Sequence, residues 1–105
     1  MLLIHRDSIG NLEAVLEYQV VDELGHINPE GLYIWIEQIE VNHIINAKKH
    51  IAKFIIEMAE INPKVISGYF IRRDKTGQKP HSVKTNRALH VSKNILRGGV
   101  ANALV

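Results

Sequence analysis

Cysteine is absent from this chain of 105 residues. Its absence excludes disulfide bonds and thiolate metal sites, and it agrees with a reducing compartment. Long apolar runs are absent as well, because the N-terminal stretch Met1–Ile4 is followed at once by His5 and Arg6. That stretch is far too short for a signal peptide or a membrane span. We therefore expect a cytoplasmic protein without a membrane partner.

Several catalytic motifs are missing too. The sequence contains no glycine-rich phosphate loop, no nucleophile elbow and none of the paired carboxylates typical of glycosidases. Its six histidines show no recognised ligand spacing. Scattered surface histidines explain this pattern better than a metal site, so we predict no metal.

What is present indicates one folded domain. Hydrophobic residues make up 46% of the chain and charged residues 23%, which is close to the average for globular proteins. A chain of this length builds one hydrophobic core but not two. We predict a single domain over residues 1–97 and a C-terminal tail over residues 98–105.

The net charge of +2 conceals an uneven distribution. Residues 1–63 carry four basic and ten acidic side chains, a net −6, whereas residues 64–105 carry nine basic side chains and one acidic, a net +8. This split indicates a polyanionic partner, such as nucleic acid, a nucleotide cofactor or an acidic protein face, although mutual attraction between the two halves explains it equally well. The residues that would bind such a partner are Arg72, Arg73, Lys75, Lys79, Lys84 and Arg87, with Lys93 and Arg97 beyond them.

Three strands are predicted in the first 41 residues. Leu2–Arg6 is a short apolar strand, and the alternation of apolar and polar residues over Leu12–Val21 is typical of a half-buried one. The stretch Leu32–Val41 begins with five apolar residues, which predicts a central strand covered on both faces. Regular alternation would place Glu37 on one face with Tyr33, Trp35, Ile39 and Val41. A carboxylate beside Trp35 would be partly desolvated and suited to general base catalysis, whereas a glutamate at a strand end that reaches solvent is the simpler structural explanation.

An amphipathic helix is predicted next. Asn46 is a suitable N-cap, Ile51, Phe54, Ile55, Met58 and Ile61 have the spacing of a buried helical face, and Pro63 ends the helix at Asn62. Lys48, Lys49 and His50 crowd the first turn, which the helix dipole disfavours unless an anion binds there. A phosphate site and a solvated basic helix end are equally good interpretations.

Another apolar strand, Lys64–Arg73, follows this helix, and a right-handed crossover would make it parallel to Leu32–Val41. Residues 72–84 are polar and contain Gly77 and Pro80, so we predict a mobile loop, and then a short helix over Arg87–Arg97. The predicted fold class is α+β (α/β), with a mixed, mainly antiparallel sheet and a β-α-β crossover.

The stretch IWIEQIEV, followed by a loop and the lysine-bearing helix, resembles the core of the GNAT superfamily of acyl-coenzyme A dependent N-acetyltransferases. The resemblance runs from about Leu12 to Arg73 and implies a truncated form of that fold. It also implies that backbone amides of the loop and helix start hold the diphosphate of acetyl-coenzyme A. Short proteins of this kind resemble members carried by phages and prophages.

The residues of the family's loop motif differ here. Asn46 stands at the position of its arginine, while Ala47 and Lys49 stand at the positions of two glycines. Glycine lets the backbone approach a diphosphate closely. Either the side chains of Lys48 and Lys49 contact phosphate instead, or cofactor binding has been lost. The chain also has no tyrosine after Tyr69 to match the family's usual acid, and it ends before the family's last two strands.

The resemblance gives one functional hypothesis and the charge distribution gives another. In the first, acetyl-coenzyme A acylates an amine of a small molecule or protein. Glu37 or Glu40 acts as base, Ile39 and Val41 contact the pantetheine arm, and Asn46, Ala47, Lys48, Lys49 and His50 hold the phosphates. In the second, a degenerate acetyltransferase scaffold binds nucleic acid or an acidic protein through its basic C-terminal part. An exposed final strand would also leave homodimer formation open.

Overall fold

Five strands and two helices form a mixed α+β fold. The computed structural model describes residues 1–42, 46–74 and 77–98, with residues 72–74 through their backbone. The elements in chain order are β1 (Leu2–Arg6), β2 (Leu12–Val21), β3 (Tyr33–Val41), α1 (Ala47–Ile61), β4 (Ser67–Asp74), β5 (Gly77–Lys84) and α2 (Thr85–Leu96). The strands lie side by side in chain order. Among the described strands, β3 and β4 pair in parallel across the α1 crossover, and the other neighbouring pairs are antiparallel. The predicted mixed sheet and crossover are therefore confirmed.

The core lies between one face of the sheet and the helices. Alternate residues of β2 point into it, namely Ala14, Leu16, Tyr18 and Val20, and all four are buried. They meet Ile34 of β3 and the side chains of Phe54 and Met58 from α1. The alternation predicted for Leu12–Val21 is confirmed, because burial on one face only is what a period of two produces.

Helix α1 ends where the sequence predicts. Asn62 donates from its backbone N–H to Met58 O (2.9 Å) and from its side-chain amide to the same oxygen (3.0 Å) and to the Tyr18 hydroxyl (3.1 Å). These bonds join the helix end to the centre of β2. The predicted helical face is only partly right, since Ile51 and Ile61 are exposed whereas His50 and Ala52 are buried.

The prediction of a mobile loop over residues 72–84 is wrong. Gly77–Lys84 is β5, an edge strand that pairs with β4 from Ser67↔Lys84 to Asp74↔Gly77. This polar composition suits an edge strand. Lysine on an edge discourages pairing with other chains, and the missing N–H of a proline removes no hydrogen bond where the strand faces solvent. Lys79, Pro80 and Lys84 are exposed along it.

A bulge in β3 corrects the prediction of its two faces. Tyr18 pairs with Ile36 but Glu17 pairs with Gln38, so Glu37 is an extra residue that faces no partner. Side chains of directly paired antiparallel residues share a face, and an extra residue reverses the alternation beyond it. Ile39 and Val41, paired with Leu16 and Ala14, therefore lie on the helix face with Ile34 and Ile36, not on the face of Trp35.

Within the described parts of the chain, neither helix is both long and apolar enough to cross a lipid bilayer.

Candidate functional site

The parallel strands β3 and β4 part after a short common stretch. Their ladder contains three pairs, from Tyr33↔Ser67 to Trp35↔Tyr69. Beyond it, β3 continues to Val41 against β2, and β4 continues against β5. We name the space between these diverging halves the cleft. The bulge at Glu37 lies at its start, and bulges bend a strand and re-aim its side chains.

The cleft opens into a cavity of about 630 Å³ between the sheet and the two helices. This volume is typical of a small-molecule site. Its sheet wall includes Ile34, Ile36, Gly68 and Phe70, and its helix walls include Phe54, Ile55, Met58, Ala88, Val91 and Ile95. Polar residues line it mainly at its two ends, with Glu37 and Gln38 beside the cleft and Thr85 and Arg87 at the start of α2.

The two candidate bases differ in position. Glu37 lines the cavity at the cleft, whereas Glu40 does not line it and accepts a hydrogen bond from the Gln38 amide (2.6 Å). Both are exposed. The desolvation expected for Glu37 beside Trp35 therefore does not occur, and Glu37 is a glutamate that reaches solvent, as the simpler explanation predicts. Ile39 lines the cavity, and Val41 packs against the core without lining it.

The amino end of α1 is free of acidic residues. Asn46 stands at the N-cap position, but its side chain makes no capping hydrogen bond. Lys48 and Lys49 are exposed and Ala47 is half-buried. None of the three lines the cavity, and Ile51 is the first residue of α1 that does. The uncapped N–H groups of such a first turn are available to an anion. Residues 43–45 of the predicted phosphate loop lie outside the described residues.

His50 belongs to a different arrangement, which we name the histidine cluster and define as His5, Glu13, His50 and Glu57. His50 Nε2 lies 2.9 Å from Glu13 Oε2, and His5 Nε2 lies 2.5 Å from Glu57 Oε1. The two Nδ1 atoms are 3.0 Å apart. His5 also stacks on Phe54 at a centroid distance of 3.9 Å. The cluster therefore joins β1 and β2 to α1 behind the Phe54 wall of the cavity.

The four side chains of the cluster form one continuous network. The two imidazole rings meet at their Nδ1 atoms, and the Nε2 atom of each ring lies within hydrogen-bond distance of a carboxylate oxygen. Each polar group of the cluster therefore has a partner inside the protein, which is the condition under which a buried polar network is stable.

Sequence reasoning missed this cluster, although part of it was visible. His50 and Glu57 are seven residues apart on a helix and Phe54 lies between them, so all three share one face. Their partners on β1 and β2 cannot be read from any spacing, because only the sheet pairing brings His5 and Glu13 together. Both ring nitrogens of His50 bond within the protein, so its side chain belongs to this cluster, whereas those of Lys48 and Lys49 are exposed.

Of the predicted partner-binding residues, Lys79, Lys84 and Arg87 are exposed. Lys84 and Arg87 border a small hollow at the start of α2, together with Lys64. The Lys64 ammonium donates a hydrogen bond to the Glu30 carboxylate (2.6 Å). This bond and the attraction between the two charges lower the pKa of Glu30 and raise the pKa of Lys64. Lys75 lies outside the described residues, and Arg72 and Arg73 are described by their backbone.

His81 on β5 lies next to a wall residue of the cavity without lining the cavity itself. It pairs with Phe70 in the ladder and stacks on its ring at 5.5 Å. Its Nε2 is shielded from solvent and has no hydrogen-bond partner among the described residues. Phe70 separates this nitrogen from the cavity that Phe70 lines.

Family models, curated proteins and solved structures give no match to this chain. The cleft, the cavity and the charges around them are the features of the molecule that bear on its function. Among residues 1–42, 46–74 and 77–98, no three or more of the acidic and histidine side chains are grouped so that they could hold a metal ion.

Proposed function

We propose that this protein binds acyl-coenzyme A in the cleft and transfers the acyl group to an amine, as a small N-acyltransferase with a truncated acetyltransferase-like fold. The observation that carries this proposal is the separation of β3 from β4 over an apolar cavity. A parallel pair that stops at Trp35 and Tyr69 leaves backbone groups of both strands without ladder partners inside the fold.

An extended ligand with amide groups is the natural partner of such a cleft. Unpaired backbone N–H and C=O groups at a strand edge bind another extended chain. The pantetheine arm of coenzyme A is narrow, extended and carries two amides, so the backbone from Ile36 to Ile39 would bond it as a strand would. The apolar cavity behind would exclude water from the reacting end.

The amino end of α1 would hold the phosphates. Lys48 and Lys49 are exposed there, no acidic residue occupies the first turn, and the Asn46 side chain makes no capping bond. Helix N–H groups and two lysines together favour a diphosphate. Because Lys49 is exposed, its side chain leaves the backbone approach open. This supports phosphate binding by Asn46, Ala47, Lys48 and Lys49 without His50.

Glu37 is the base that this arrangement supports best. When bound, acyl-coenzyme A would supply an activated thioester carbonyl. Glu37 lines the cavity at the cleft and would take the proton from the attacking amine, which must be neutral to react.

Calorimetric titration with coenzyme A tests the binding step. We expect measurable affinity for the natural chain and a several-fold weaker affinity for a variant in which both Lys48 and Lys49 are replaced by alanine, because two cations facing a diphosphate are lost. Lys53→Ala is the matched control, since this exposed lysine of α1 lies beyond the first turn. An absence of heat at high protein concentration, or equal weakening by the control, would remove the proposal.

A second candidate function is binding of a polyanion by the basic C-terminal part. Lys84 and Arg87 converge with Asn86 on the hollow at the start of α2, and Lys79 is exposed on the same strand as Lys84. Such binding releases counterions and weakens steeply with salt. In a mobility-shift experiment with single-stranded nucleic acid, we expect the affinity to fall strongly when the salt concentration rises from about 50 to about 200 mM. Retention that does not depend on salt would contradict this candidate.

A further inference from the structure

The cavity is larger than an acetyl group requires. It measures about 630 Å³, which lies within the range of pockets that enclose a whole drug-sized ligand. It extends from the cleft across the sheet to the core-facing side of α2. Residues remote from the cleft line it, namely Met58, Ala59, Val65, Ala88, Val91 and Ile95. The space behind the cleft therefore accommodates a long ligand segment.

The walls select an apolar segment. Along its length the lining is aliphatic and aromatic, and Ser92 contributes a hydroxyl on the α2 side. Ordered water needs two to four polar partners, which this surface does not offer. Apolar side chains along the wall lack packing partners on the side that faces this space. An alkyl chain would supply those contacts.

Gly68 keeps this space open. It lies in the middle of the short parallel ladder, opposite Ile34, and it lines the cavity. A Cβ atom built on Gly68 meets no atom within 4 Å, and its φ lies outside the left-handed region. Neither crowding nor backbone geometry demands glycine here. Glycine weakens a strand interior and often marks the close approach of a ligand.

The polar groups lie where a carboxyl derivative would need them. Glu37 and Gln38 stand at the cleft end, and the aliphatic walls begin directly behind them. A ligand with a polar head and one alkyl chain therefore enters with its chain first, past Gly68. In a thioester bound in this way, the carbonyl would remain at the mouth beside Glu37.

We propose that the cavity holds the alkyl chain of a fatty acyl thioester, so that the donor is a medium-chain or long-chain acyl-coenzyme A and not acetyl-coenzyme A. This inference rests on the proposed function. In the transfer, the amine nitrogen forms a bond to the thioester carbonyl carbon, the carbon–sulfur bond breaks, and the amine proton passes through Glu37 to the thiolate. The products are the fatty amide and free coenzyme A.

Calorimetry with acetyl-, butyryl-, octanoyl- and dodecanoyl-coenzyme A tests the inference. We expect Kd to fall by about fourfold for each buried methylene until the cavity is full, and to level off thereafter. The variant Gly68→Leu places a side chain in the open space. We expect it to abolish the dependence on chain length while retaining the affinity for acetyl-coenzyme A.

Ser82→Leu is the matched control, because Ser82 is exposed on β5 opposite Tyr69 and faces away from the helices. We expect it to leave the dependence on chain length intact. Thermal unfolding followed by circular dichroism shows whether Gly68→Leu folds. We expect no loss in Tm, because a Cβ atom at this position meets no atom within 4 Å and the rest of the side chain would enter the cavity.

The outcomes separate the two claims. Equal affinity for all four esters would overturn the acyl-chain inference and leave the proposed function standing. A second outcome is that the protein binds free dodecanoate, that Gly68→Leu blocks this binding, and that no coenzyme A ester binds. This outcome would overturn the proposed function but support the selectivity of the cavity for alkyl chains. Binding of neither the esters nor dodecanoate would overturn both.

Discussion

Replacing Glu37 by glutamine is expected to lower kcat by about 10²- to 10⁴-fold, which is the usual contribution of a general base. Glutamine has the same size but accepts no proton, so the cleft should keep its shape and KM for the acyl donor should change little. The measurement is release of free thiol from octanoyl-coenzyme A with n-butylamine as the acceptor. A loss confined to kcat would show that Glu37 acts in the chemical step.

Glu40→Gln controls for the loss of one negative charge near the cleft. Glu40 is exposed, pairs with the Gln38 amide and does not line the cavity, so its removal is expected to change kcat by less than about twofold. Similar losses for both variants would indicate a general electrostatic effect, and an undiminished kcat for Glu37→Gln would end its assignment as the base.

Replacing His50 by leucine is expected to lower the free energy of unfolding by about 2–4 kcal/mol. His50 is buried, and its loss leaves Glu13 Oε2 and His5 Nδ1 without the partners they have in the histidine cluster. A buried group deprived of its partner costs more than the net value of the bond itself. Urea unfolding followed by the fluorescence of Trp35, the one tryptophan in the chain, measures the change.

The same substitution at His26 is the control for a histidine outside the cluster. The side chain of His26 is 73% exposed, so His26→Leu should alter stability by no more than about 0.5 kcal/mol. If the two variants were equally stable, the histidine cluster would contribute nothing to holding α1 on the sheet, and its hydrogen bonds would be replaced without cost by water.

The elements with a strong hydrophobic period were predictable from the sequence. Leu12–Val21 alternates because one face meets the helices, and Asn62 with Pro63 marks the end of α1 through rules that need only local geometry. The crossover then follows from the handedness of strand, helix, strand units. These predictions succeed because each depends on neighbours in the chain.

The remaining features depend on distant partners. Gly77–Lys84 is too polar to signal a strand, and it becomes one because β4 offers an edge with which to pair. The bulge at Glu37 leaves no mark in the pattern of apolar and polar residues, yet it places Ile39 and Val41 on the helix face of the sheet and not on the face of Trp35. The histidine cluster joins residues up to 52 positions apart. The cavity itself is a property of packing between layers, which no spacing reveals.

The extra residue in β3 has a consequence for how this sequence can diverge. Ile36 and Ile39 both meet the helices because the bulge takes up the one residue that the strand contains beyond regular pairing. If the strand kept its length but paired regularly, Gln38 and Glu40 would turn toward the core in place of Ile39 and Val41. Deleting Glu37 would instead remove the bulge and leave Ile39 and Val41 on the core face. A homologous chain that is one residue shorter here should therefore keep the same core but lack the bend at the mouth of the cleft.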